Sequence, residues 1–441
     1  MLSASQQKEH VLNRLGYGQS HWHADRYDAI GQAAYIAEQL NATLPDISAK
    51  GTTIGNKILR DVTSQRQLEA ALLEFWFNHF NISTESVNQN QVIKTIRGRK
   101  VGHHQNVAIL PYVLGDFGTM LLETAKSPSM LDYLDNRINY EAEVVNGKVY
   151  GGNDNYAREV MELHTIGVNG GYNELDIIEA ARILTGWSVS NDEYTFKQAR
   201  HDFNAKIVMG VPYPAGVAEE EGIAFLDFLA NHASAPAFLA TKLVSRFINE
   251  TPPVGAVTAT QAAYGPNRDL GAMTAALFNH SDFLAESNFR AKVKPPSRFV
   301  SSGLQAMGAS EFADWTGIET ELVDGIIDAG EVPYVVGPPT GYPDESDFWI
   351  SGASMLSRFT IAETIAYHPP LVAKLRARAG GAGDDTILTV DAVAAVMVPG
   401  GLSADSRVAV LDHVAANAAN SDGRVSAAAH LIMCSPEFVR Y

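Results

Sequence analysis

Residues 153–176, NDNYAREVMELHTIGVNGGYNELD, place an arginine, two carboxylates and a histidine in one short helical stretch: Arg158, Glu159, Glu162 and His164. A protonated carboxyl can give a proton to a leaving oxygen, a carboxylate or imidazole can take one from water, and a guanidinium can hold an anion. Spaced at about 100° per residue, Ala157, Val160, Met161 and His164 share one face. Arg158 and Glu162 stand four apart on a flank, with Glu159 nearly opposite. This is not HExxH, in which two histidines project together toward zinc. Any partners of His164 must come from other elements.

Two other stretches offer such partners. In QLEAALLEFWFNHF (67–80), Leu68, Leu72, Phe75 and His79 share a face, so a second histidine sits in an apolar stripe. QARHDFNAKIVMG (198–210) carries His201 and Asp202 shortly before Lys206. Adjacent strand residues point to opposite faces, so one of the pair can face a site while the other anchors the ribbon. Candidate catalytic groups are thus Glu159, Glu162, His164 and Asp202. His79, His164 and His201 are candidate ligands of a divalent metal; the bland alternative is core histidines satisfied by hydrogen bonds. Candidate substrate-binding residues are Trp76, Asn155, Arg158, Trp187 and Lys206. Tryptophan beside carboxylate and arginine suits a sugar, and suits a large helical core equally. Arg158, Arg182, Arg246, Arg298 and Arg358 lie in or beside apolar helical stretches, so they are either paired in the interior or hold an anionic substrate.

The elements that must position these groups are mostly helices. HADRYDAIGQAAYIAEQL, SQRQLEAALLEFWFNHF, ELDIIEAARILTGW and SAPAFLATKLVSRFI all repeat apolar residues at i, i+3 and i+4. Ser64 is placed to cap the second of these and Asn173 the third, and Gly167 stands where a helix stop belongs. Strand signals are few. EAEVVNGKVYG (141–151) has Asn146-Gly147 between apolar runs, and residues 188–210 read as a second ribbon turning near Asn191-Asp192. The expected fold is mainly α, multi-helical, with two small β-hairpins flanking a central helix as a lid or rim. A Gly-rich stretch at 378–385 divides a main helical domain, 1–378, from a small C-terminal helical unit, 379–441.

Composition narrows the classes. With 441 residues and 46% hydrophobic side chains the chain builds a sizeable core. A net charge of −17 argues against nucleic acid as a partner, and the one basic run, KTIRGRKVGHH (94–104), reads as a solvated loop. A single cysteine, Cys434, excludes an internal disulfide and multi-cysteine zinc sites. No apolar run is long enough to span a bilayer, so no membrane insertion is expected. The start, MLSASQQKEHVLNRLGYG, shows no signal-peptide pattern. GxSxG, P-loop and GxGxxG motifs are absent, which disfavours α/β-hydrolase, nucleotide and dinucleotide sites.

LNRLGYG, EFWFNHF, LGDFGTMLLETAKSPSMLDYLDNRIN, NDNYAREVMELHTIGVNGGY, EAARILTGW, RHDFNAK, KPPSRFV and SPEFVRY follow one another in an order that resembles a bacterial family catalogued as domain of unknown function 1800. The resemblance covers essentially the whole chain. It implies a mainly helical, exported protein, periplasmic or secreted, whose gene often neighbours that of a sulfatase-like protein, but it supplies no activity. The chain departs from the family in showing no export signal and in a long segment before LGDF, NQNQVIKTIRGRKVGHHQN. The expected function is hydrolysis of carbohydrate or another anionic polymer through the Glu/His/Arg site. The alternatives are a non-catalytic assembly partner of the sulfatase-like enzyme, and a metal or haem redox protein.

Overall fold

A computed structural model describes residues 1–41, 44, 51–83, 101–145, 148–380 and 385–441. The Asn146-Gly147 turn, residues 88–100 of the segment before LGDF with the start of the basic run, and residues 381–384 of the Gly-rich stretch lie outside the described residues. The fold is mainly α, as expected.

Local chemistry explains most boundaries. The predicted 23–40 helix divides at Gly31, whose φ of +78° ends His21–Ile30 and begins Gln32–Gln39. Asn173 caps Glu174–Ile183 in a capping box with Asp176. Ser64 does not cap the Gln67–His79 helix: its hydroxyl accepts from the Arg66 amide in a tight turn, and Arg66 takes the cap position.

The hairpins number three among the described residues, one more than expected. β1 (Glu143–Val145) pairs with β2 (Lys148–Tyr150), β3 (Trp187–Ser190) with β4 (Glu193–Phe196), and β5 (Lys206–Val208) with β6 (Val211–Tyr213). The expected 188–210 ribbon is really two units. Asn191-Asp192 turns the first with both φ positive, and a short 3-10 turn at Gln198–Arg200 then breaks the strand. The second turns at Met209-Gly210, again with both φ positive. Methionine is an unusual residue for that position, which hid the hairpin from sequence.

Two hydrophobic cores organise the chain. The first gathers apolar side chains from Val11 to Phe283 around the Gln67–His79 helix, where Leu72, Trp76 and Phe80 are fully buried. The second joins Val293 to Val439, through the helices Pro296–Ala306, Gly352–Ala366, Thr386–Met397 and Ser421–Cys434. It includes residues on both sides of position 378, so the helices after the Gly-rich stretch share one core with those before it.

The Ile54–Thr63 helix joins the two cores. Ile58 and Val62, four apart, enter the second core. Lys57, Arg60 and Asp61 form the adjacent stripe and are equally buried, with Lys57 4% and Arg60 2% exposed. A buried stripe of two cations and a carboxylate must find partners, and it finds them across the seam. Among the described residues no single helix is long and apolar enough to cross a membrane.

Candidate active-site cleft

The opening helix departs from the ideal wheel. Asn155–Glu159 is α-helical, but Val160–Thr165 is a π-helix, in which the Ile166 amide donates to the Met161 carbonyl at 3.1 Å. This i→i+5 bonding widens the turn, so residues four apart no longer stack. Arg158 therefore pairs with Asp154 (2.9 Å) and Glu174 (2.6 Å), not with Glu162. Glu159 and Glu162 are half-buried, and burial followed by the Glu162 charge pushes the Glu159 carboxyl up. The Asn155 amide donates to the Asn153 side chain (3.0 Å).

His79 and His164 do meet, with ring centroids 6.0 Å apart. They meet in the apolar interior, among Phe75, Trp76, Phe80 and Phe238. His79 Nε2–H donates to the His164 backbone carbonyl (3.0 Å), so that nitrogen is committed to structure. Burial, then the Lys242 charge, holds His164 down to about 3 and His79 well below its ordinary value. Both are neutral at physiological pH.

His201 belongs to a separate cluster. Its Nε2 lies 3.0 Å from Glu221, its Nδ1–H donates to the Thr185 carbonyl (2.8 Å), and Lys206 closes on the same Glu221 and on the Asp202 carbonyl. Asp202 faces the other way, accepting from Arg182 (2.7 Å) and Asn204. Burial pushes its carboxyl up, but these hydrogen bonds and the Arg182 charge outweigh it and leave Asp202 below the ordinary range. Arg182 also takes Glu179, three residues before it on the same helix. Among the described residues no three His, Cys, Asp or Glu side chains converge to hold a metal, and the proposed trio of His79, His164 and His201 does not assemble. Trp76 and Trp187 are 0% exposed and offer no face to a sugar; Lys206 is sealed against Glu221.

The concave polar site lies elsewhere, at the seam. A narrow cleft, with a free volume of about 80 Å³, opens between the Ile54–Thr63 and Gln67–His79 helices and the 331–349 loop. Its walls are Phe75, Phe77, Tyr334, Tyr342, Trp349 and three prolines; its charged lining is Lys57, Arg60, Glu74, Arg246, Glu331 and Asp344. Lys57 donates to Asp61 and to Glu74, both at 2.6 Å. Glu74 continues to Arg246, and Arg246 to Asp344 at 3.2 Å. Tyr17 adds a hydroxyl donor to Glu74 (3.1 Å). Asn78 and Asn81 fix the loop by donating to the carbonyls of Tyr342 (2.9 Å) and Pro338 (2.8 Å).

The two glutamates here are driven apart. Burial alone would raise Glu74, but Lys57 and Arg246 outweigh it, so its carboxyl is held far below the usual range. Glu331 moves the other way: burial, with a contribution from the Glu74 charge, raises it against Lys57 and the Ser297 hydrogen bonds. Ser297 donates to Glu331 through both its amide and its hydroxyl at 2.7 Å.

None of the catalytic, metal-ligand or aromatic site residues expected from sequence lines this cleft; of the arginines weighed for an anionic substrate, Arg246 does. Signals for it existed. Glu74 lies in EFWFNHF, Arg246 was among the arginines in apolar helices, and Lys57-Asp61 is an i, i+4 pair on an otherwise core-facing helix. The loop over the cleft, VVGPPTGYPDESDF (335–348), is rich in glycine and proline and by pattern is no more than a break between helices.

Fold and site together define a mainly helical protein with a charged, aromatic-walled cleft between two cores. The chain belongs to the family described as protein of unknown function (DUF1800), whose family model matches residues 10–440. No curated protein and no solved structure matches it.

Proposed function

We propose that this protein is an exported hydrolase of carbohydrate or another anionic polymer, working at the seam cleft. The observation that carries the reading is the opposed ionisation of two carboxylates in one cleft, Glu331 raised and Glu74 lowered. Of two acids separated in this way, the raised carboxyl suits a proton donor and the lowered one a fixed negative charge. Glu331 is the proton donor to the leaving oxygen. Asp344, more exposed than Glu74, takes the proton of the attacking water through Oδ2, since Arg246 holds Oδ1 and no hydrogen bond reaches Oδ2 among the described residues. Glu74, with both oxygens held, stays ionised and stabilises positive charge developing on the sugar. The aromatic and proline walls supply stacking surface. Export rests on the family resemblance.

The test is release of new reducing ends from a panel of acidic and neutral polysaccharides. Glu331→Gln should lower release by about 100-fold or more at unchanged folding. Release that Glu331→Gln leaves intact removes this assignment.

A second reading, a non-catalytic partner of a sulfatase-like protein, is favoured by one feature. Phe348, Ile350, Met355, Leu356 and Phe359 are exposed within a dozen residues of one another in sequence. Such a row is characteristic of protein-binding surfaces. Stable co-elution with the sulfatase-like protein, lost in Leu356→Glu, would support it.

A further inference from the structure

The cleft as it stands is too small for a saccharide. Its free volume is about 80 Å³, whereas sites that enclose a small organic ligand run from about 300 Å³ upward. A wall must move, and the walls are held in different ways. The Ile54–Thr63 and Gln67–His79 helices send apolar side chains into the two cores. The third wall, VVGPPTGY (335–342), has no regular secondary structure, and of its eight residues only Gly341 is buried.

Both ends of this segment are anchored. Before it, Tyr334 is 7% exposed, donates its hydroxyl to Gln105 (3.0 Å) and holds a φ of +69°, which a bulky side chain adopts only when its surroundings enforce it. After it, the Asp344 carboxylate is held by Arg246 (3.2 Å) and its carbonyl by Lys292 (3.1 Å), and the Ser346 amide donates to Glu250 (2.9 Å). Between the anchors, three side chains grip the backbone. Asn81 donates to the carbonyls of Val336 (3.2 Å) and Pro338 (2.8 Å), and Tyr133 to that of Gly337. Asn78 donates to the Tyr342 carbonyl and accepts from the Tyr342 amide (2.8 Å). Gly341 lets the segment seat flush, since a β-carbon there would collide with Asn78. Water can replace each of these bonds at small net cost, which is not true of buried apolar surface. Pro338-Pro339 stiffens the tip between them.

We propose that residues 335–342 are a lid, closed in this structure, that lifts off Asn78, Asn81 and Tyr133 as one body to admit a ligand to the cleft. Its pivot is Tyr342, whose ring rests on Trp349 (5.2 Å) and whose hydroxyl accepts from the Val332 amide (2.7 Å). Glu74, Glu331 and Asp344 lie outside the moving segment and keep their places when it rises. The lid deepens the hydrolase reading by naming how the site is gated, and rests on that reading only for what is admitted.

The experiment needs no substrate. Hydrogen exchange at the Tyr342 amide is followed by mass spectrometry in the full chain, at urea concentrations below unfolding. Opening of a lid exposes little surface, so Tyr342 should exchange faster than the amides of the Gln67–His79 helix and with little dependence on urea. Neither Asn81 nor Tyr133 bonds to residue 342, so the variants report whether the segment moves as one. Asn81→Ala, which removes two clips, should speed Tyr342 exchange roughly tenfold, and Tyr133→Phe, which removes one, roughly threefold. If Asn81→Ala does not fold, Tyr133→Phe carries the comparison. Exchange at Tyr342 that follows urea as steeply as the helix amides, or fast exchange that neither variant alters, overturns the lid. Glu331-dependent polysaccharide cleavage with either of those results removes the lid and spares the hydrolase. A lid that opens as described on a protein that cleaves no polysaccharide does the reverse.

Discussion

The 153–176 stretch and the seam cleft are built from the same side chains and treat them differently. In the first, the charged groups of the helix face outward: Arg158 is about one-third exposed and joined to two exposed carboxylates, while the inward histidine is sealed among aromatic rings. In the second, charges contributed by distant segments converge inside a concavity, with Lys57, Arg60, Arg246 and Glu331 buried. The density of polar residues along the chain reports the first kind of region. Chemistry needs the second, because charges shift one another strongly only where solvent cannot screen them. The regions are neighbours: Tyr133 donates to the Gly337 carbonyl of the cleft loop (2.5 Å) and feels the Glu159 charge.

The sharpest way to break this contrast is to remove Glu74. Glu74→Ala leaves Lys57 and Arg246 buried without their shared carboxylate. Breaking a buried charge network from one side costs roughly 3–5 kcal/mol, to be read from urea denaturation at neutral pH. A loss below about 1 kcal/mol would mean that water already reaches these groups, and the cleft would be no more special than the surface helix.

Acid separates the interior from the surface by a different route. His164 has a folded value of about 3 against an ordinary 6.5. A group whose folded value is lowered binds its proton more readily when unfolded, so its stabilising effect is complete above 6.5 and is lost as pH falls toward 3. The slope is up to about 1.4 kcal/mol per pH unit for each such group. His10 behaves alike, also held down to about 3 by burial, the nearby Arg14 adding to it. Denaturation midpoints across this window should fall steeply with acid, and His164→Leu should flatten the curve by one group's share. An unchanged slope in His164→Leu would place that histidine in contact with water.

Much of the fold was legible in sequence because its rules are local. Helical periodicity, the Asn173 cap, the Gly167 stop and the Asn191-Asp192 turn each depend on a few adjacent residues. What could not be read was non-local. The π-turn at Val160–Thr165 has no strong residue signature, yet it redirected Arg158 away from Glu162. The meeting of His79 with His164 was expected from two apolar stripes, but whether it lay in a pocket or in the interior depended on the aromatic rings packed around it. The cleft joins residues 57, 74, 246, 331 and 344. No spacing rule links positions so far apart; only the packing of two cores against one helix does.

The smallest effect belongs to the stretch that first drew attention. Arg158 bonds Asp154 and Glu174 where all three side chains are at least one-third exposed. Exposed pairs of this kind contribute about 0.2–1 kcal/mol and weaken with added salt. Arg158→Ala should therefore cost no more than about 1 kcal/mol, and the difference from wild type should shrink as salt rises. A larger, salt-independent loss would show that the helix is held by a buried ionic network after all. The contrast between the two regions would then be one of degree, and the 153–176 stretch would return as a structural core of the fold.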